Sequence, residues 1–167
     1  EVRNSVIANN SAGRGGGILS QGWTTLSASQ VISNTASEAG GGIYNQDYLQ
    51  LETSTVRNNL AGDYGGGIAN DGQGVYGDAT LMLADSTISG NVSHGRGGGI
   101  ANGAAEAGGD YVQTFVVLDN STISGNTANG SGGGIYTGQT GRAQVYLNNG
   151  AITANVADAD GDSQGDG

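Results

Sequence analysis

Gly132-Gly133-Gly134-Ile135-Tyr136, preceded by Ser121-Thr122-Ile123-Ser124-Gly125-Asn126-Thr127-Ala128, is the stretch that decides the fold. The glycine block returns at Gly15–Ile18, Gly40–Ile43, Gly65–Ile68 and Gly97–Ile100. The second block aligns on an apolar column of Ile7, Val31, Val56, Ile88, Ile123 and Ile152. Three residues later comes an asparagine column: Asn10, Asn34, Asn59, Asn91, Asn126 and Asn155. Five residues before the Ile/Val column stands another apolar column: Val2, Leu26, Leu51, Leu83, Leu118 and Leu147. The chain is one unit repeated about six times, and such self-similarity must be read before anything else.

The local period is two. Leu49-Gln50-Leu51, Leu81-Met82-Leu83 and Val145-Tyr146-Leu147 place every second side chain on one side, as strands do. Nothing recurs at helical spacing. Each unit therefore carries two or three short strands: Leu-x-Leu, Ser-Thr-Ile and Gly-Gly-Ile. Stacked in parallel about 4.8 Å apart, the units bury columns that no single unit could bury alone. The expected fold is all-β, a parallel β-helix of about six coils. The bias of parallel crossovers makes it right-handed. Residues 1–157 form the helix, and 158–167 an acidic Gly/Asp tail or the start of a next coil. Asparagine columns belong in turns, with their amides bonding along the stack.

Composition agrees and excludes. Glycine is 34 of 167 residues and only 35% are apolar, so a conventional core would be thin. Proline, which lacks a ladder donor, is absent. With no cysteine, disulfides and thiolate metal sites are ruled out. The net charge of −10, with five basic residues, argues against nucleic acid as a partner. No apolar run is long enough to insert in a membrane. The chain begins with Glu1 rather than Met and reads as a processed or excised piece.

Column spacing locates the variable part. From each asparagine to the following glycine-block Ile the distance is eight or nine residues. From that Ile to the next Leu column it is eight, eight, fifteen, eighteen and twelve. The length variation thus falls at one corner, the side of a repeat protein that can change without breaking the stack. Candidate ligand-binding residues lie there: Trp23 and Tyr48, five residues after their Ile and expected to stack, with Tyr76 and Tyr111 in the long loops. Asp71, Asp78, Glu106 and Asp110 make the corner acidic, with Arg142 as the exception. Aromatic rings on a ledge can take pyranose faces, or they can simply cover core ends. An acidic corner suits a basic or cation-bridged ligand.

Other chemistries find less support. The carboxylates Glu38, Asp47, Glu52, Asp63, Asp85 and Asp119 are scattered and share no column on neighbouring coils; His94 is alone in a turn. No base–nucleophile pair presents itself, so no catalytic residues are assigned. No cofactor is expected except calcium at Asp158, Asp160 and Asp162, which alternate as in hard-cation loops. Gly161 is out of place for an EF-hand, and an acidic linker is the preferred reading. Thr55, Thr87 and Thr122 make an outward row, but Arg57 interrupts its neighbour and spoils a flat ice-binding array. Asn9, Asn91, Asn120 and Asn129 fit the glycosylation pattern Asn-x-Ser/Thr.

The pairing of Gly-Gly-Gly-Ile-Tyr with Ser-Thr-Ile-Ser-Gly-Asn-Thr-Ala resembles bacterial cell-surface β-helix repeats of the polymorphic outer-membrane-protein type. Those pair a Gly-Gly-Ala-Ile-like block with an apolar-x-x-Asn block. Residues 132–136 with 121–128 match best, then 40–45 with 54–61. The resemblance reaches to about Ala157 and implies a right-handed β-helix. It also implies an extracellular place, at the cell surface or secreted, and a structural or adhesive role. The expected partners are a second copy end to end or the continuation of a longer surface protein, and a glycan or host-surface ligand. The alternative function is a carbohydrate-active β-helix, a polysaccharide lyase or hydrolase.

Overall fold

In a computed structural model, residues 1–72, 77–103, 112–138 and 142–161 are described. They form a right-handed parallel β-helix of about six coils, without helices among the described residues. Each of the first five coils passes through four parallel sheets, numbered in chain order, and the sixth adds a strand to the first two. Sheet 1 contains Val2–Arg3, Thr24–Ser27, Tyr48–Glu52, Ala79–Ala84, Gln113–Asp119 and Arg142–Asn148. Sheet 2 contains Val6–Ala8, Gln30–Ile32, Thr55–Arg57, Thr87–Ser89, Thr122–Ser124 and Ala151–Thr153. Sheet 3 holds Ser11–Arg14, Thr35–Ala39, Leu60–Ala61, Val92–Ser93 and Thr127–Ala128. Sheet 4 holds Ile18–Ser20, Ile43–Asn45, Ile68–Asn70, Ile100–Asn102 and Ile135–Thr137.

The alternation in the sequence foretells sheets 1, 2 and 4. Sheet 3 is the addition. Three of its five strands are only two residues long, too short to show a period. Their hydrogen bonds come from the neighbouring coils on either side, so the stack makes them strands rather than local propensity.

Register is strict, and like stacks on like. Val31, Val56, Ile88 and Ile123 pair directly, as do Leu26, Leu51, Leu83 and Leu118, and Ile43, Ile68 and Ile100. These columns merge into one buried core. A one-residue slip would turn a whole strand inside out, which fixes the register.

The first glycine of each block, Gly15, Gly40, Gly65, Gly97 and Gly132, has φ between 60° and 71°. That conformation is cheap only for glycine. The second is excluded by space: a Cβ on Gly66 would press on the carbonyl oxygens of Gly98 and Val92.

Polar ladders run beside the apolar columns. Each interior asparagine of the Asn34 column receives its predecessor's backbone and side-chain N–H on Oδ1. Its own Nδ2 donates forward to the next Oδ1 and back to a core carbonyl. Asn34, Asn59, Asn91 and Asn126 are fully buried and thereby satisfied. Two further ladders are present. Asn45 donates to Asn70 and Asn70 to Asn102, each at 2.8 Å. The Ser29, Ser54 and Ser86 N–H groups donate to the hydroxyls of Ser54, Ser86 and Ser121, each at 3.0 Å.

The last coil is bare by contrast. Leu147 and Ile152, members of the core columns, are 52% and 44% exposed. Beyond Val156, the Asp158 and Ala159 N–H groups donate back to Gly130 and Ala128.

Candidate functional site

Sheet 1 receives the long connections, and its outer surface is the part of the helix least like a solvated face. Trp23 and Tyr48 stack with ring centroids 4.6 Å apart and planes tilted by 42°. Parallel register puts Thr80, Phe115 and Gln144 in line after Tyr48. The adjacent outward column reads Thr25, Gln50, Met82, Val117 and Tyr146. The Tyr48 hydroxyl donates to Met82 Sδ at 2.8 Å. Trp23 is 75% exposed and Tyr146 52%, while Tyr48, Met82, Phe115 and Val117 are half-buried. The sole Trp, Phe and Met of the chain therefore lie on one face, outside the core.

The acidic corner is not uniform. Asp78 is exposed, and its Oδ1 accepts the Gln113 N–H at 2.8 Å. Arg142 is exposed at the start of its strand, beside Gln113. Asp71, expected on the surface, is instead 3% exposed. Its Oδ2 accepts the Tyr44 and Tyr64 hydroxyls at 2.8 and 3.2 Å. The reason is the bend at the glycine block. Residues just before and just after it both point outward into a concave angle, so Ala39, Tyr44, Tyr64 and Ala69 pack there as a second small core. Burial, then the Asp71 charge, raises the pKa of both phenols. Arg14 lies 5.5 Å over the Tyr44 ring and Arg96 5.3 Å over Tyr136, closing the angle along the axis. Asp71 thus anchors the root of a long loop rather than facing a ligand. Tyr76, Glu106, Asp110 and Tyr111 lie outside the described residues.

For calcium, Asp158 is half-buried and Asp160 exposed, while Asp162 lies outside the described residues. No three His, Asp or Glu side chains come together among the described residues. The scattered carboxylates need one correction. Glu38 and Asp63 do occupy one column on neighbouring coils, next to the Ala39–Tyr64 bridge. Both are exposed, and Glu38 is paired with Arg14 at 2.7 Å. The spacing itself carries this, since each stands four residues after its column asparagine, Asn34 and Asn59, with no shift of register between the two coils. Of the glycosylation sequons, Asn91 is a buried rung of the asparagine ladder and is closed to modification in the folded chain. Asn9 and Asn120 stand exposed at positive φ.

Two sets of structural residues escaped the sequence reading although their signals were present. Ile-x-Asn recurs at 43–45, 68–70 and 100–102, and a serine stands two residues before every interior member of the Ile/Val column.

Residues 120–138 match the model of the Chlamydia polymorphic membrane protein repeat. The resemblance read from the motifs is thereby supported over that unit, and the repeat type is one of bacterial outer-membrane and surface proteins. No curated protein and no solved structure matches the chain.

Proposed function

We propose that the chain is a non-enzymatic, extracellular β-helix module of a bacterial surface, structural or adhesive, whose ends accept a further coil from a second copy. The observation that supports this is the direction of the polar ladders. Each asparagine gives N–H and Nδ2–H toward the next coil and takes them on Oδ1 from the previous one. The same vector points Asn155 donors out of the last coil and the Asn10 acceptor out of the first. The apolar columns are complementary in the same sense: Leu147 and Ile152 end the columns that Val2 and Ile7 begin. Head-to-tail contact would continue both, as an open heterologous interface. The stack supplies stiffness, and sheet 1 with its loops supplies recognition.

Negative-stain imaging across a wide concentration range tests this. Thin fibres with a subunit repeat of roughly 30 Å, six coils at about 4.8 Å each, are expected. Monomers persisting at the highest concentration would overturn self-assembly and assign the bare ends to the continuation of a longer chain.

A further inference from the structure

We propose that the outer face of sheet 1 is a docking surface for a cationic, apolar segment of a partner protein. This rests on the reading of the helix as a non-enzymatic scaffold, but not on its end-to-end assembly. The face combines an apolar stripe with two acidic margins. The stripe runs along the helix axis through Trp23, Tyr48, Met82, Phe115, Val117 and Tyr146. From Trp23 to Tyr146 it crosses four coil steps, roughly 20 Å. Aromatic residues and Met are the types that dominate interface cores, because they bury much area at low entropic cost.

On the loop side the stripe is flanked by Asp47 and Asp78, both exposed. On the opposite side stand Glu52, Asp85 and Asp119, also exposed. Of the described arginines near the face, Arg3 is paired with Glu1 at one end and Arg142 stands at the other. The margins are therefore acidic along the middle of the stripe, where Met82 and Val117 lie. A partner with lysine or arginine beside aliphatic side chains would satisfy both parts at once. A second copy of this chain would not. It carries a net charge of −10 and would set acidic margin against acidic margin. A neutral glycan could stack on Trp23 and Tyr48, but would leave Met82, Phe115 and Val117 without polar partners to offer its hydroxyls. The outer face of sheet 2 has no such stripe: its central rows are Thr55, Thr87, Thr122 and Arg57, Ser89, Ser124.

Trp23, the sole tryptophan, reports directly on the face. The full chain, held at a concentration where sedimentation shows monomers, is titrated with a synthetic peptide alternating Leu and Lys. A peptide alternating Ser and Lys, one alternating Leu and Glu, and a neutral β-linked oligosaccharide serve as comparisons. A blue shift of Trp23 emission is expected with the Leu/Lys peptide, at an affinity at least tenfold above the others and falling with salt. Val117→Ser should weaken that binding at least tenfold, whereas Thr122→Ser on sheet 2 should leave it unchanged. Glu52→Gln with Asp119→Asn, conservative surface changes, should reduce the salt dependence. Circular dichroism confirms that each variant is folded.

Equal binding of the Ser/Lys peptide would reduce the effect to net charge and overturn the proposal. So would binding unmoved by Val117→Ser, or a response to the oligosaccharide alone. Dimers abolished by Val117→Ser would assign the face to a second copy instead, and also overturn it. Fibre formation is read separately and does not bear on these outcomes.

Discussion

Sheets 1 and 2 share one rule inside and follow opposite rules outside. Their inward columns are uninterrupted Leu/Val and Ile/Val stacks, buried to completion in the middle coils. Outside, sheet 2 is uniform. Every strand is three residues long, and in the central coils its surface is the hydroxyls of Thr55, Thr87, Thr122, Ser89 and Ser124 with Arg57, while Val6 and Ile32 stand on the first coils. Sheet 1 lengthens from two residues to seven along the chain and gathers Trp, Tyr, Met, Phe and Val on its surface. A solvated face of a repeat needs only polar side chains, so sheet 2 shows what the stack requires when nothing else acts on it. The departure of sheet 1 begins at Trp23 and Tyr48, beside the two short connections, continues where the long ones enter, and is not explained by packing of the core.

Breaking the shared inner rule should have the largest effect. Gly66→Ala forces a Cβ onto the carbonyls of Gly98 and Val92, which belong to the next coil and have no room to retreat. The expected loss exceeds about 4 kcal/mol, enough to abolish cooperative unfolding in a denaturant titration. Gly22→Ala, where no atom lies within 4 Å, is the comparison and should melt as the parent does. Next in size is the apolar column of sheet 2. Ile123→Ala, fully buried, should cost about 2–5 kcal/mol by denaturant unfolding. Ile152→Ala removes the same side chain one coil later, where it is 44% exposed, and should cost less than half as much. If the two costs are equal, the last coil is covered in solution, as end-to-end stacking requires.

That inner rule is what the amino-acid sequence shows most clearly. Columns such as Ile88–Ile123 and Asn91–Asn126 announce parallel stacking because the repeated chemistry has no other use at that spacing. Two features were less visible for physical reasons. Three of the five sheet 3 strands have only two residues, too few to display a period. The burial of Asp71 depends on Tyr44 and Tyr64, which lie on different coils and meet only because the glycine bend turns both outward into one angle. The surface stripe was half legible. Stacking of Trp23 on Tyr48 follows from equal offsets and the period of two turns Met82 and Val117 outward, but only the register kept across the long connections lines them up beside Tyr48 and Phe115.

The angle between sheets 3 and 4 gives a smaller, pH-dependent test. In the folded chain the Tyr44 and Tyr64 phenols ionise at higher pH than usual, because burial and then the Asp71 carboxylate oppose a second negative charge. A raised folded pKa means that the unfolded chain loses the proton first. The stability these groups contribute is complete below the unfolded value near 10 and declines as pH rises above it. Unfolding free energy measured at pH 8 and at pH 11 should fall between the two, and Tyr64→Phe should shrink that fall. At pH 8 the same substitution should cost only about 1 kcal/mol, for the lost bond to Asp71. An unchanged alkaline slope would show that Tyr64 is solvated, and that this angle is open rather than packed.

The smallest expected effect bears most directly on the difference between the sheets. If the sheet 1 stripe were part of the stabilising structure, Val117→Ser would cost as a core truncation does. Val117 points outward between Met82 and Tyr146 and is half-exposed, so its replacement should change unfolding free energy by no more than about 0.5 kcal/mol. Thr87→Ser on sheet 2 should be as mild. Equal mildness would mean that neither outer face is needed for stability, and that the apolar surface of sheet 1 is retained for something outside the coil stack. A loss of 2 kcal/mol or more at Val117 alone would instead make the stripe a second core, with Trp23 and Tyr48 as its lid. The outer surfaces of the two sheets would then differ in packing, not in purpose.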